Sequence, residues 1–126
     1  MASAEVMTTR YYEEQGYTVE DVRRWNPWSK TRKDFLGFAD LHVFGHSRHI
    51  AVQATIGLNN LPARIAKIKA SPKALDWLQN HDAIEAIAWR KLKQRNKDGT
   101  LGKRVKYEPK IVEITLKDFE REREDG

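Results

Sequence analysis

Two apolar runs with a short polar break between them dominate the middle of the chain. They are Phe35-Leu-Gly-Phe-Ala-Asp40-Leu-His-Val-Phe44 and His49-Ile-Ala-Val-Gln53-Ala-Thr55. Short apolar runs bounded by turn residues predict strands. We therefore expect strands over about 35–44 and 49–55, joined by the turn Gly45-His-Ser-Arg48. Asp40 interrupts the first run and Gln53 stands near the end of the second. A carboxylate inside an apolar strand is costly unless it is paired or holds a metal. Asp40 is thus the first residue to explain.

Before this hairpin, Ser3 can cap a helix over about 4–15. Val6, Met7, Tyr11 and Tyr12 would form its apolar stripe, and Gly16 its stop. Apolar positions 17, 19, 22 and 25 fit a strand over 17–24 better than a short helix after Thr18. Pro27 predicts a turn at Trp25-Asn-Pro-Trp28, followed by a basic loop over 29–33. After the hairpin, Asn59 or Asn60 can cap a helix with Pro62 in its first turn. Leu61, Ile65 and Ile68 keep its period. Ser71-Pro72 restarts the helix, Leu75, Trp77 and Leu78 supply its buried face, and His81-Asp82 closes it. Residues 83–90 predict a strand with Ile87 and Trp89 on one face. Asp98-Gly99 is a hairpin-turn signal inside a basic zone over 91–106. A last strand, Lys110 to Leu116, follows Pro109, and a short helix fraying into a charged tail ends the chain. This order predicts an α/β or α+β fold with a mixed central sheet flanked by helices. No internal repeat is visible.

Composition narrows the chemistry. At 126 residues and 14.7 kDa, one domain is expected. No cysteine is present, which excludes disulfides, zinc–thiolate centres and thiol nucleophiles. No secretory leader or membrane-length apolar run is seen, so a cytoplasmic location is expected and no membrane partner. The net charge of +5 and pI near 9.5 favour a polyanionic partner, nucleic acid first. Between 91 and 106 there are seven basic residues against one acid, Asp98. Lys93, Arg95, Lys97, Lys103, Arg104 and Lys106, with Arg32 and Lys33 in the earlier loop and Asn59 at the helix start, are the expected phosphate contacts. Trp25, Trp28 and Trp89 could stack on bases, although packing in the core is the commoner fate, above all for Trp77 and Trp89.

Asp40, Gln53 and Glu5, with a backbone carbonyl near Ala54, form an all-oxygen set. Such a set suits Mg²⁺ or Mn²⁺ rather than zinc. The plainer readings are a turn-capping Asp40 or one paired with Arg32 or Lys33, a satisfied Gln53, and a Glu5 that serves the helix dipole. Glu13 and Glu14 read as a solvated face, with either able to replace Glu5 in another helix register. Asp34 reads as a loop acid that could extend the set. His42, His46 and His49 lack a zinc spacing. Solvent or substrate contact is expected of them, with His42 on the same strand face as Asp40.

These phrases resemble a known family. Ala39-Asp40, twelve intervening residues and Gln53-Ala-Thr55 are similar to the core motif of the PD-(D/E)XK nucleases. There an Asp opens one strand of a hairpin and Glu/Gln-x-Lys lies on the next. Glu5, fourteen positions before Val19 of Gly16-Tyr-Thr-Val19, further resembles the archaeal Holliday junction resolvase branch. Asp34-Phe-Leu-Gly-Phe-Ala-Asp40 and Val52-Gln-Ala-Thr55 resemble small phage-borne members, which would act in the cytoplasm of a bacterial host. The resemblance covers about residues 3–90. It implies a restriction-endonuclease-like fold and a metal-dependent DNA endonuclease, possible action on branched DNA, a homodimer, and Mg²⁺ or Mn²⁺ as cofactor. Glu5, Asp40, Gln53 and the Ala54 carbonyl would hold the ion. One departure stands out: the family's lysine falls at Thr55. Lys67 or Arg64 on the following helix would have to replace it. Otherwise the chain is a non-catalytic nucleic-acid-binding protein on the same scaffold. A third alternative is a module whose basic ribbon meets an acidic protein.

Overall fold

The computed structural model describes residues 3–26, 31–33, 36–80 and 82–119. Ser3 caps α1 (Ala4–Glu13): its hydroxyl accepts from the Val6 N–H at 3.2 Å. The helix buries Ala4, Thr8 and Tyr12, one residue per turn, and half-buries Met7 and Tyr11. The expected stripe is therefore rotated, and Val6 is exposed at 43%. A threonine at the centre of the buried face hid that face from a search for apolar spacing.

β1 (Thr18–Asp21) is shorter than the strand expected over 17–24. The chain breaks at Val22-Arg23 and resumes as β2 (Arg24–Asn26), which pairs with β3 (Thr31–Lys33) in a separate two-stranded ribbon. The expected turn at Trp25 and loop at 29–33 are thus partly strand. Trp28, Lys30, Asp34 and His81 lie outside the described residues, as do the side chains of Trp25, Arg32 and Lys33.

β4 (Leu41–Gly45) and β5 (Arg48–Ile56) form the expected hairpin, with the first strand starting later than 35. Asp40 consequently stands just ahead of β4. The connection is His46-Ser47, both at positive φ (50° and 59°), the backbone that matches the strands' own twist. These residues rarely take that conformation, and tertiary contacts hold it. A His46 Nε2 lies 2.9 Å from the Gln15 carbonyl, and its ring packs edge-on against Tyr17.

A 3-10 turn at Leu58–Asn60 leads into α2 (Leu61–Ala70), and Ser71 separates it from α3 (Pro72–Gln79). Asn60 does not cap α2 with its side chain. Its amide instead donates to the Ile56 carbonyl at 2.7 Å. β6 (Ala83–Arg95) then runs parallel to β5, and β7 (Leu101–Ile114) returns antiparallel. The short strand, separate basic hairpin and last strand expected from sequence are one long ribbon. Pro109 sits within it because β7 is an edge strand, where a missing N–H is tolerated. A helical turn starts at Leu116, with Asp118 accepting from the Thr115 N–H at 2.7 Å.

The five-stranded sheet has the order β1-β4-β5-β6-β7 and is antiparallel except at β5–β6. This is a mixed α/β architecture with helices on both faces. Ala51, Ile84, Ala86, Ala88 and Ile114 pack under α2 and α3 with Ile68, Ala74 and Leu78. Ile50, Val52, Ile87 and Trp89 pack under α1. β5 is covered from both sides, which explains its continuous burial from Ile50 to Thr55. No helix among the described residues is long and apolar enough to cross a membrane.

Candidate metal centre and nucleic-acid interface

The sheet register defines two ends. Asp21 pairs with Leu41, Leu41 with Val52, and Ile56 with Trp89. The end of β1, the start of β4 and the end of β5 therefore lie together. α1 points its N-terminus to this end. Thr8 accepts from the Trp89 indole at 2.8 Å, whereas Tyr12, one turn later, donates to Glu85 toward the start of β6. Glu5, a turn before Thr8, thus belongs to the same end as Asp40 and Gln53. Asp40 and Gln53 are in contact, and Glu5 stands at the same end of the sheet, on the helix that covers the face of Ile50 and Val52.

Asp40 is held by its backbone on both sides. Its N–H donates to the Val52 carbonyl at 2.9 Å, and its carbonyl accepts from Val22 at 3.2 Å. Its Oδ2 accepts from the Gln53 amide at 2.9 Å and from the Ala54 N–H at 3.0 Å. The Gln53 NH₂ also lies 3.4 Å from the Ala54 carbonyl oxygen. Asp40 is 5% exposed and Gln53 3%. Gln53 Oε1 is buried and has no hydrogen-bond partner among the described residues. Buried acceptors of this kind are rare and call for an explanation. In this orientation the Gln53 NH₂, rather than Oε1, faces Asp40 and the Ala54 carbonyl. With the amide turned over, its oxygen, the carboxylate and the carbonyl would form a donor set for a hard cation such as Mg²⁺ or Mn²⁺.

Glu5 is not turned to Asp40 by any direct bond. Its Oε1 meets Arg23 Nη1 at 3.3 Å. Among the described residues no three Asp, Glu or His side chains converge in a metal-binding group, so the ion would rest on Asp40, the amide and the carbonyl, with Glu5 further out. Arg23 is the residue that sequence reasoning missed. Its guanidinium is raised above its ordinary pKa by hydrogen bonding to Asp21 and by the charges of Asp21, Glu5 and Asp40, against an opposing pull from desolvation. With Ser3, Thr9 and Glu13, the residues Glu5, Asp21 and Arg23 line a surface pocket of about 300 Å³. Larger hollows of about 460 Å³ flank α3 at the other end of the sheet, one of them lined by Lys73, Asp76 and Asp82.

Thr55 is buried at 6% on the sheet face that carries α2 and α3. Arg64 is half-buried and Lys67 exposed on α2 itself. Glu13 and Glu14 are exposed, as expected of a solvated face. Trp89 is core, bound to Thr8, and Trp77 is half-buried with its indole donating to the Ala83 carbonyl at 2.7 Å; neither is a free stacking surface. His42 is occupied too: its Nε2 lies 2.9 Å from His49 Nδ1, and its ring meets Trp77 edge-on.

The basic zone continues from this end. β6 pairs with β5 only as far as Trp89, while β6 and β7 stay paired to Arg95 and Leu101. The ribbon beyond Trp89 is therefore a two-stranded arm, about 20 Å long at 3.3–3.4 Å per residue. From 90 to 110 it carries nine basic residues against two acids, more than the whole net charge of the chain. Lys93, Arg95, Lys97 and Lys106 are exposed along it, and Asn59 is exposed at the approach to α2. Lys103 and Arg104 lie on β7, with side chains outside those described. The β2–β3 ribbon, bearing Arg32 and Lys33, leaves the same end after Arg23.

No protein-family model, no curated protein sequence and no solved structure matches this chain.

Proposed function

We propose that the protein is a divalent-metal-dependent DNA endonuclease of the PD-(D/E)XK type. The observation that carries the reading is the buried Gln53 amide against Asp40, its Oε1 without a hydrogen-bond partner among the described residues, at the end of the sheet from which the basic arm extends. Asp40, Gln53 and the Ala54 carbonyl would hold Mg²⁺ or Mn²⁺, with Glu5 in the outer shell. The ion, when bound, supplies Lewis acidity toward a phosphodiester oxygen and an attacking water. The protein's own part is electrostatic and positional. Lys93, Arg95, Lys97 and Lys106 neutralise backbone phosphates and seat the strand across the end of the sheet. Arg64 or Lys67, projecting from α2, supplies the positive charge that Thr55 cannot. Resolution of a four-way junction would require two such sites, and hence a homodimer.

The test is incubation with Mg²⁺ or Mn²⁺ and supercoiled, linear and four-way DNA. Metal-dependent product is expected from the wild type and only background from Asp40→Ala. Equal cleavage by Asp40→Ala would contradict the mechanism. A second reading has its own support, the buried Thr55 where the family places lysine. In that case the chain binds nucleic acid without cutting it. DNA binding that weakens with salt, with no product under either metal, would favour it.

A further inference from the structure

The arm divides its charge between two faces. Side chains along a strand alternate from face to face, and directly opposed residues of paired strands share one. Trp89, Tyr107 and Ile111 pack in the core under α1, whereas Ala86, Ala88 and Val112 pack in the core under α2 and α3. The register carries both faces outward along the arm. On the α1 side Lys91 pairs with Tyr107 and Lys93 with Val105. On the other side Lys110 pairs with Ala88, Arg90 with Glu108, and Leu92 with Lys106. Among the described side chains, the first face therefore has two cations and no acid. The second has three cations against one acid, which leaves each face the same excess of positive charge. All five cations are exposed.

A ribbon lying flat on a nucleic acid has use for charge on one face alone. Equal charge on both faces matches phosphates on both sides, which is the setting inside a groove. Size selects the groove. A sheet with side chains on both faces is about 10 Å thick. The minor groove is about 6 Å wide, whereas the major groove is about 12 Å and admits a two-stranded ribbon. The tip keeps the two strands together. The Asn96 N–H donates to the Thr100 carbonyl at 2.8 Å, and Arg95 Nη1 to the Gly99 carbonyl at 2.8 Å. Asp98, the one acid of the turn, is turned back on Thr100, accepting from its N–H at 3.0 Å and its hydroxyl at 2.6 Å.

We infer that the arm lies on edge in the major groove of duplex DNA, with Lys91 and Lys93 toward the phosphates of one strand and Arg90 and Lys106 toward those of the other. This rests on the DNA reading of the arm and is independent of the cation site.

The experiment uses the full chain in EDTA with a short duplex, and has two parts. In the first, the saturated complex is treated with dimethyl sulfate, which methylates guanine N7 in the major groove and adenine N3 in the minor groove. Guanine N7 reactivity should fall severalfold and adenine N3 reactivity should stay. Undiminished N7 reactivity in the bound duplex would overturn the proposal. In the second, binding is measured against salt for wild type, Lys91→Ala/Lys93→Ala and Arg90→Ala/Lys106→Ala, with thermal melts as folding controls. Each double variant should lower the salt slope by about two. A loss confined to one of them would mean a ribbon lying flat on that face, and would also overturn the proposal. The methylation arm uses the native chain and stays decisive if a variant does not fold. Absence of duplex binding by the wild type would remove the DNA reading itself, a separate failure that takes this inference with it.

Discussion

Gln53 brings the residue-scale argument to a point. Its NH₂ donates to Asp40, and its oxygen is sealed from water with no hydrogen-bond partner among the described residues. A glutamate there would place two carboxylates side by side and remove the donor to Asp40 Oδ2. Gln53→Glu should therefore cost about 1–3 kcal/mol in metal-free urea unfolding. Added Mn²⁺ should recover more stability in this variant than in wild type. His42 supplies a second residue-scale prediction. Burial, and then the neighbouring His49, hold its pKa below the ordinary 6.5, with Asp82 and Glu20 pulling the other way. The folded state thus binds its proton less readily than the unfolded chain. The stability this provides is complete above pH 6.5 and is lost as the pH falls below it. Unfolding midpoints in urea should decline from pH 7.5 to pH 5, and His42→Gln should flatten that decline.

At the scale of elements, two hydroxyls join α1 to β6: the Tyr12 phenol on Glu85 and, buried in the core, Thr8 on Trp89. Thr8 donates to the Ala4 carbonyl at 2.6 Å and accepts from the Trp89 indole at 2.8 Å. Thr8→Val keeps the shape and strands the indole N–H in the core, which should cost about 1–3 kcal/mol in urea unfolding. Trp89→Phe should cost less, because Thr8 keeps its own acceptor. What was legible in the sequence follows from the same local physics. The β4–β5 hairpin and the α2–α3 pair could be read because apolar period, turn residues and prolines agreed. Asp40 and Gln53 stood out because a polar group in a buried strand has few innocent roles. The buried face of α1 was misread because Thr8 looks like surface until Trp89, 81 residues later, supplies its partner. The β6–β7 arm was cut in three because a charge run and Pro109 imitate chain breaks, and only the sheet edge makes them compatible. Arg23 was invisible for a related reason: its meaning lies in Glu5, which folding alone brings near.

On the scale of the whole molecule, the two ends of the sheet divide the labour. One carries Tyr12, Glu85, Arg48 and Glu113, linked by a phenol–carboxylate hydrogen bond and by ion contacts of 3.9 Å and 3.6 Å. The other carries Asp40, Gln53 and the basic arm. Beyond Trp89 the arm has no β5 neighbour, so the core does not depend on its tip. Replacing residues 93–105 by an Asn-Gly turn should leave the melting temperature within a few degrees. It should also abolish DNA binding at physiological salt. Single Lys93→Ala and Lys106→Ala changes should each lower the salt slope of binding by about one, whatever the DNA sequence.

The most direct measurement is the anomalous diffraction of a crystal grown with Mn²⁺. The prediction is one peak within about 2.0–2.6 Å of an Asp40 carboxylate oxygen, Gln53 Oε1 and the Ala54 carbonyl, the range for hard-cation oxygen ligands. A fully occupied peak elsewhere with nothing at Asp40, or no peak at all at millimolar Mn²⁺, would contradict it.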